Sequence, residues 1–85
     1  MLQIVGESMR DAGIFDGDWV VLRSQKIADK GDFVAAMIDD EATVKEFHQD
    51  QSGTWLLPHN DSFDSIAVSL ETEIIGKMVS MMQKL

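Results

Sequence analysis

Short apolar blocks separated by turn residues run the whole length of this chain. Leu2-Gln3-Ile4-Val5 is a strand-like run that stops at Gly6, and a short stretch after Ser8 has room for one helical turn. Phe15-Asp16-Gly17-Asp18 is a turn built on Asp-Gly, followed by the β-rich run Trp19 to Arg23. Lys30-Gly31 marks the next turn. Phe33 to Ile38 is continuously apolar, the pattern of a strand buried on both faces. Asp39-Asp40-Glu41 turns the chain, Ala42 to His48 returns as a hairpin partner, and Gln51-Ser52-Gly53 ends it. Trp55-Leu56-Leu57 is closed by Pro58. His59 to Ser65 reads as a loop around Phe63, and Ile66-Ala67-Val68 as a short strand. The last element, Glu73 to Met82, has Ile74, Ile75, Met78, Val79, Met81 and Met82 at spacings that suit a helix face. Its β-branched residues and Gly76 favour a strand. The pattern predicts a mostly all-β domain over residues 1–85, a small barrel or sandwich with a short helical turn. No repeat or linker divides it.

Composition narrows what such a domain does. The 85 residues are 45% hydrophobic, enough for one modest core. Seven basic residues face 15 acidic ones, a formal net charge of −8. Nucleic-acid backbones are gripped by clustered Lys and Arg, and no such cluster appears. A β-barrel that binds single strands also needs a basic and aromatic stripe, which is missing. There is no cysteine, hence no disulfide and no thiolate metal site, which fits a reducing compartment. No apolar run approaches the length of a membrane span, and the N-terminus lacks a signal-peptide pattern.

The candidate chemistry lies in two stretches. In Gly6-Glu7-Ser8-Met9 a glycine lets the backbone bend beside a hydroxyl. The N–H groups opening the following turn have no intrahelical partner and can face a developing negative charge. The plainer alternative is that Ser8 caps a turn. In Thr43-Val44-Lys45-Glu46-Phe47, strand alternation places Thr43, Lys45 and Phe47 on one side. A lysine turned inward there loses its charge more readily and can take a proton from a serine. The plainer alternative is a surface lysine lying over the sheet. His48 and His59 lack metal-ligand spacing and are expected at solvated strand ends, although sequence alone leaves a Ser-His-Asp triad open. Asp16, Asp18, Asp39 and Asp40 read as turn chemistry. Met78, Met81 and Met82 read as core or interface. No metal or cofactor is expected.

Five stretches in order make the pattern specific: Gly6-Glu7-Ser8-Met9, Gly13 to Asp18, Gly31 to Ala36, Glu41 to Lys45, and Leu56 to Asn60. Together they resemble the C-terminal self-cleaving domain of LexA-type SOS repressors, a pattern shared with UmuD-like polymerase accessory proteins, phage repressors and signal-peptidase-like serine peptidases. The likeness covers nearly the whole chain. It implies a Ser–Lys dyad, with Ser8 as nucleophile and Lys45 as general base. It implies an oxyanion hole from the backbone N–H groups of Glu7 and Ser8. It implies that Thr43, and more loosely Ile66, orient the lysine. It further implies a bacterial cytoplasmic protein that dimerises through its last strand and cleaves its own Ala-Gly bond when activated RecA filaments stabilise the cleavable form. DNA would be bound only through a separate helix-turn-helix domain. That domain and the cleaved segment have no counterpart in these residues, so the chain reads as a catalytic domain without a resident substrate. Ala12-Gly13 is the only Ala-Gly pair, and it lies too close to Ser8 to serve as one.

Three functions remain in view: a repressor peptidase domain, a UmuD-like accessory domain, and a module that only dimerises a partner. The long apolar final segment suggests an interface in each case. Pairing with its own copy would satisfy edge groups, with Val79 and Met81 at the contact.

Overall fold

The computed structural model describes all 85 residues. Seven strands form one antiparallel sheet: β1 (Leu2–Gln3), β2 (Trp19–Ser24), β3 (Phe33–Ile38), β4 (Glu41–Asp50), β5 (Gly53–Leu57), β6 (Ile66–Ala67) and β7 (Glu73–Met82). A single 3-10 turn, Arg10–Ala12, follows the candidate serine. The mostly all-β expectation holds, including the strand assignment for Glu73 to Met82. The expected barrel or sandwich is corrected to an open sheet in the order β1-β2-β7-β3-β4-β5-β6. Its outer strands, β1 and β6, have two residues each and do not pair with one another.

The centre of the sheet explains its own sequence. β3 lies between β4 and β7, and Val34, Ala35 and Ala36 are all fully buried. Ala35 joins a cluster with Ile4, Met9, Ile14, Val20 and Val44. Val34 and Ala36, one position to either side, join Phe47 and Leu56. A strand feeding two clusters has no solvated face, so its sequence does not alternate. Fully burying an aliphatic side chain of this size is worth roughly 1.5–3 kcal/mol. The β3–β4 hairpin closes through Asp39 and Asp40, whose φ values of 50° and 63° are those of a two-residue turn that twists with its strands.

The helix-like spacing in β7 has a structural cause. Against β3 the register passes from Ala35–Gly76 to Ala36–Ile74, leaving Ile75 as an extra residue. Against β2 it passes from Val21–Ser80 to Leu22–Met78, leaving Val79 extra. Two bulges four residues apart break the period of two. Met78 and Met81 both turn to the first cluster, whereas Val79 and Met82 are exposed.

The last strand is interior to the sheet order, yet part of it keeps one open edge. Gly76 and Lys77 pair with both β2 and β3, whereas Glu73 and Ile74 pair with β3 alone and the stretch from Met78 to Met82 pairs with β2 alone.

Candidate active site

The loop between β1 and the 3-10 turn is held from several directions. Gly6 has φ +91°, a left-handed conformation that glycine adopts without strain, and its N–H donates to Asp16 Oδ1 at 2.7 Å. Ile4 N–H donates to the Asp18 carbonyl and Gly17 N–H to the Ile4 carbonyl, at 2.7 and 2.8 Å. The Asp-Gly turn therefore acts as a cradle for the strand that leads to Ser8. On the far side, His59 N–H donates to the Ser8 carbonyl at 2.8 Å. Buried Met9 anchors the loop in the first cluster.

Ser8 meets Lys45 at the end of this loop. The two residues are 37 positions apart in sequence, and Lys45 Nζ lies 2.8 Å from Ser8 Oγ. Thr43 Oγ1 is 2.5 Å from the same nitrogen, and the Val44 carbonyl 3.3 Å. Lys45 is only 5% exposed and forms no ion pair. Desolvation by this burial pushes the lysine pKa below its usual value, and the negative charge of Glu41 partly opposes the shift. The spatial arrangement thus excludes the surface-lysine alternative. The alternation that placed Thr43 and Lys45 together is the one observed.

Two backbone donors remain open beside the serine. Neither Glu7 N–H nor Ser8 N–H donates to any group of the chain. A cleft of about 250 Å³ runs past Ser8 between Leu2–Val5 and Glu41–Val44.

A comparison with known protein families matches residues 1–79 to the family described as Peptidase S24-like. The chain belongs to the peptidase S24-like family. Along its full length it is 71% identical to a LexA repressor of Corynebacterium efficiens and 69% identical to one of Corynebacterium glutamicum. It is 54% identical to a LexA repressor of Mycolicibacterium vanbaalenii. The chain spans 36% of the length of each of these three relatives.

The other expected positions of this S24-like domain fall out unevenly. Ile66 pairs with Leu56 and packs against the second cluster; it borders a surface hollow with Thr43 but makes no hydrogen bond to the lysine. Val79 is 48% exposed, while Met81 is half-buried against the domain's own core. Both histidines are partly exposed, and each meets a carboxylate. His48 Nε2 lies 2.9 Å from Asp50 Oδ2, and His59 Nε2 lies 2.7 Å from Glu46 Oε1 with its ring edge-on to Phe33. Neither ring contacts Ser8, so no Ser-His-Asp triad is assembled. Ala12-Gly13 ends the 3-10 turn, with Gly13 N–H bonded to the Arg10 carbonyl. It is part of the scaffold under Ser8. No helix is long and apolar enough to cross a membrane.

Sequence reasoning missed two buried polar residues. Asp18, read as turn chemistry, is 2% exposed; it accepts the N–H groups of Phe15 and Lys84, and these bonds hold its carboxyl below the usual range. Asn60 appeared only as the end of a motif, yet it is 6% exposed and touches the Glu7 carbonyl. A polar residue two places after Pro58 was the only signal for it.

Proposed function

We propose that this domain is a Ser–Lys serine endopeptidase, the self-cleaving and dimerising part of a LexA-type repressor of the SOS DNA-damage response. The observation that carries this reading is the 2.8 Å contact between Ser8 Oγ and a buried, unpaired Lys45. A neutral amine has two N–H donors and one lone pair. Thr43 Oγ1 and the Val44 carbonyl offer acceptors for the two N–H groups, which leaves the lone pair for the Ser8 hydroxyl proton.

The reaction follows from that arrangement. Lys45 takes the proton as Ser8 Oγ attacks the scissile carbonyl carbon. The oxygen of the tetrahedral intermediate lies against the open N–H groups of Glu7 and Ser8. Collapse breaks the C–N bond, and the Lys45 ammonium gives its proton to the departing amine. Water, deprotonated by the neutral lysine, then hydrolyses the ester and restores Ser8.

The substrate in this reading is an Ala-Gly bond in a segment tethered upstream of the domain, docked in the cleft beside Ser8. Tethering raises the effective concentration, so weak intrinsic binding suffices. Activated RecA filaments favour the docked form, and DNA is bound through a separate domain. The names of the relatives favour a repressor over a UmuD-like accessory protein. A module that only dimerises has no use for a buried lysine aimed at a serine. Dimerisation through the unpaired Val79–Met82 edge of β7 belongs to the same reading.

The test is cleavage in trans. The 85-residue chain is incubated with a full-length LexA-type repressor whose own nucleophilic serine is replaced by alanine. Slow Ala-Gly fragments are expected by mass spectrometry, faster at alkaline pH and lost with Lys45→Ala. Equal fragments from Lys45→Ala would overturn the dyad.

A further inference from the structure

Asn60 is one of three buried polar residues, with Asp18 and Lys45. Its side chain fills both of its roles. Nδ2 donates to the Glu7 carbonyl at 2.9 Å, and Oδ1 accepts the Ser62 N–H at 3.0 Å. Arg10 Nη2 lies 3.4 Å from the same oxygen. Rotating the amide by half a turn would set oxygen against oxygen and N–H against N–H, so these partners fix its orientation.

The Glu7 carbonyl and the Ser8 N–H belong to one peptide unit. That unit is planar and trans, so its C=O and N–H point in opposite directions. The carbonyl receives two donors, Asn60 Nδ2 and, at 3.2 Å, Arg10 N–H. The N–H has no partner in the chain. Holding the carbonyl inward therefore holds the N–H outward.

We propose that Asn60 is a positioning residue that locks the Glu7–Ser8 peptide with its N–H facing the oxyanion of the reaction. The proposal rests on the Ser–Lys reading above and adds to it a group that touches neither substrate nor dyad. Asn60 acts on the transition state and not on substrate docking, because the cleft walls, Leu2–Val5 and Glu41–Val44, lie apart from it.

Asparagine-to-aspartate exchange separates this role from simple support of the 60–63 turn. Asn60→Asp keeps the oxygen that accepts from Ser62 and stays next to Arg10, but its second oxygen cannot donate to the Glu7 carbonyl. Asn60→Ala loses both contacts. The readout is steady-state cleavage of a fluorogenic peptide with an Ala-Gly bond, alongside thermal melting. A positioning role predicts that kcat falls on the order of 10- to 100-fold in both variants, with KM unchanged, as when an oxyanion donor is weakened. The midpoint of the pH–rate profile stays where it is, since none of the Lys45 partners runs through Asn60. A peptide boronate, whose tetrahedral adduct carries the oxyanion, should lose affinity in parallel. If Asn60→Asp restores wild-type kcat while Asn60→Ala does not, Asn60 only supports the turn and the proposal fails. Should Asn60→Asp not fold, the kcat and boronate affinity of Asn60→Ala decide alone, and wild-type values overturn the proposal. If the wild-type chain cleaves the peptide equally well with Ser8→Ala, the dyad reading itself has failed, a result distinct from either.

Discussion

Val34 and Lys45 stand directly opposite one another across β3 and β4, and Val34 is completely shielded from solvent. Directly paired residues share a face with their Cβ atoms roughly 5 Å apart. The stem of the lysine is thus set against aliphatic surface, with a hydroxyl and not a carboxylate at its tip. That pairing is why burial dominates the lysine's pKa.

The cleavage rate should rise with pH to an apparent pKa below the usual lysine value of about 10.4, because only the neutral amine accepts the serine proton. Glu41 pulls the pKa the other way. Glu41→Gln should therefore move the midpoint to lower pH without lowering the alkaline plateau. Stability follows the same shift. The unfolded lysine binds a proton at higher pH than the folded one, so stability falls as pH drops from the unfolded pKa to the depressed folded pKa, and is flat below it. In Lys45→Met this component of the pH dependence should vanish. Urea titrations and rate measurements at matched pH values check both. A rate flat from about pH 6 to 10 would remove Lys45 as the base.

Ser8→Ala and Lys45→Ala should each abolish peptide cleavage. The double variant should be no worse than either single one, because the two residues act as one unit. Both should stay folded. Serine truncation in a loop is mild, and removing a buried amine with no ion-pair partner relieves its desolvation. Residual cleavage and melting temperature, measured on the same preparations, separate loss of chemistry from loss of fold.

Gly76 should not tolerate a side chain. A Cβ there would lie 2.8 Å from the Arg23 carbonyl oxygen and 3.1 Å from Leu22 Cβ, at the end of the β2–β7 ladder where β7 also pairs with β3. Gly76→Ala must push the two strands apart, at a cost of about 1–3 kcal/mol. Chemical denaturation should show a lower midpoint with an unchanged slope.

Interface variants should divide by which way the β7 bulges turn each residue. Val79→Lys adds charge to an exposed position on the unpaired half of the strand. It should weaken self-association in light scattering at high micromolar concentration while leaving the melting temperature nearly unchanged. Met81→Lys places the charge against the first cluster. It should lower the melting temperature by several degrees, since a core charge is costly. Equal effects from both would contradict the assigned orientations.

The acid limb of stability should depend on Asp18. Its carboxyl is held below the usual range by the N–H groups of Lys84 and Phe15. A depressed folded pKa contributes stability that is present above the unfolded pKa and lost as pH falls through the folded one. Asp18→Asn should flatten that loss in urea titrations below about pH 4. Asparagine keeps a single acceptor oxygen, so one of the two N–H groups, Phe15 or Lys84, should lose its partner, seen as faster amide exchange at that residue.

By itself the sequence determined the strands, their turns and the two stretches of chemistry. These are local properties: Asp39-Asp40 between apolar runs makes a hairpin, and alternation in β4 puts Thr43 beside Lys45 before any partner is known. Strand order was not local. Nothing in Glu73 to Met82 says that it inserts between β2 and β3, or that Ile75 and Val79 are bulged. Register across strands is set by which faces bury together, and that is decided only when all the strands compete for one core. The same holds for the site. Ser8 could be matched to Lys45 by resemblance, but its 2.8 Å distance depends on the turn at Asp16–Asp18 and on the loop at His59–Asn60. Those residues hold the Ser8 loop through the Asp16 carboxylate, the Asn60 amide and backbone groups, and the long-range partners of such bonds have no signature in the order of side chains along a chain.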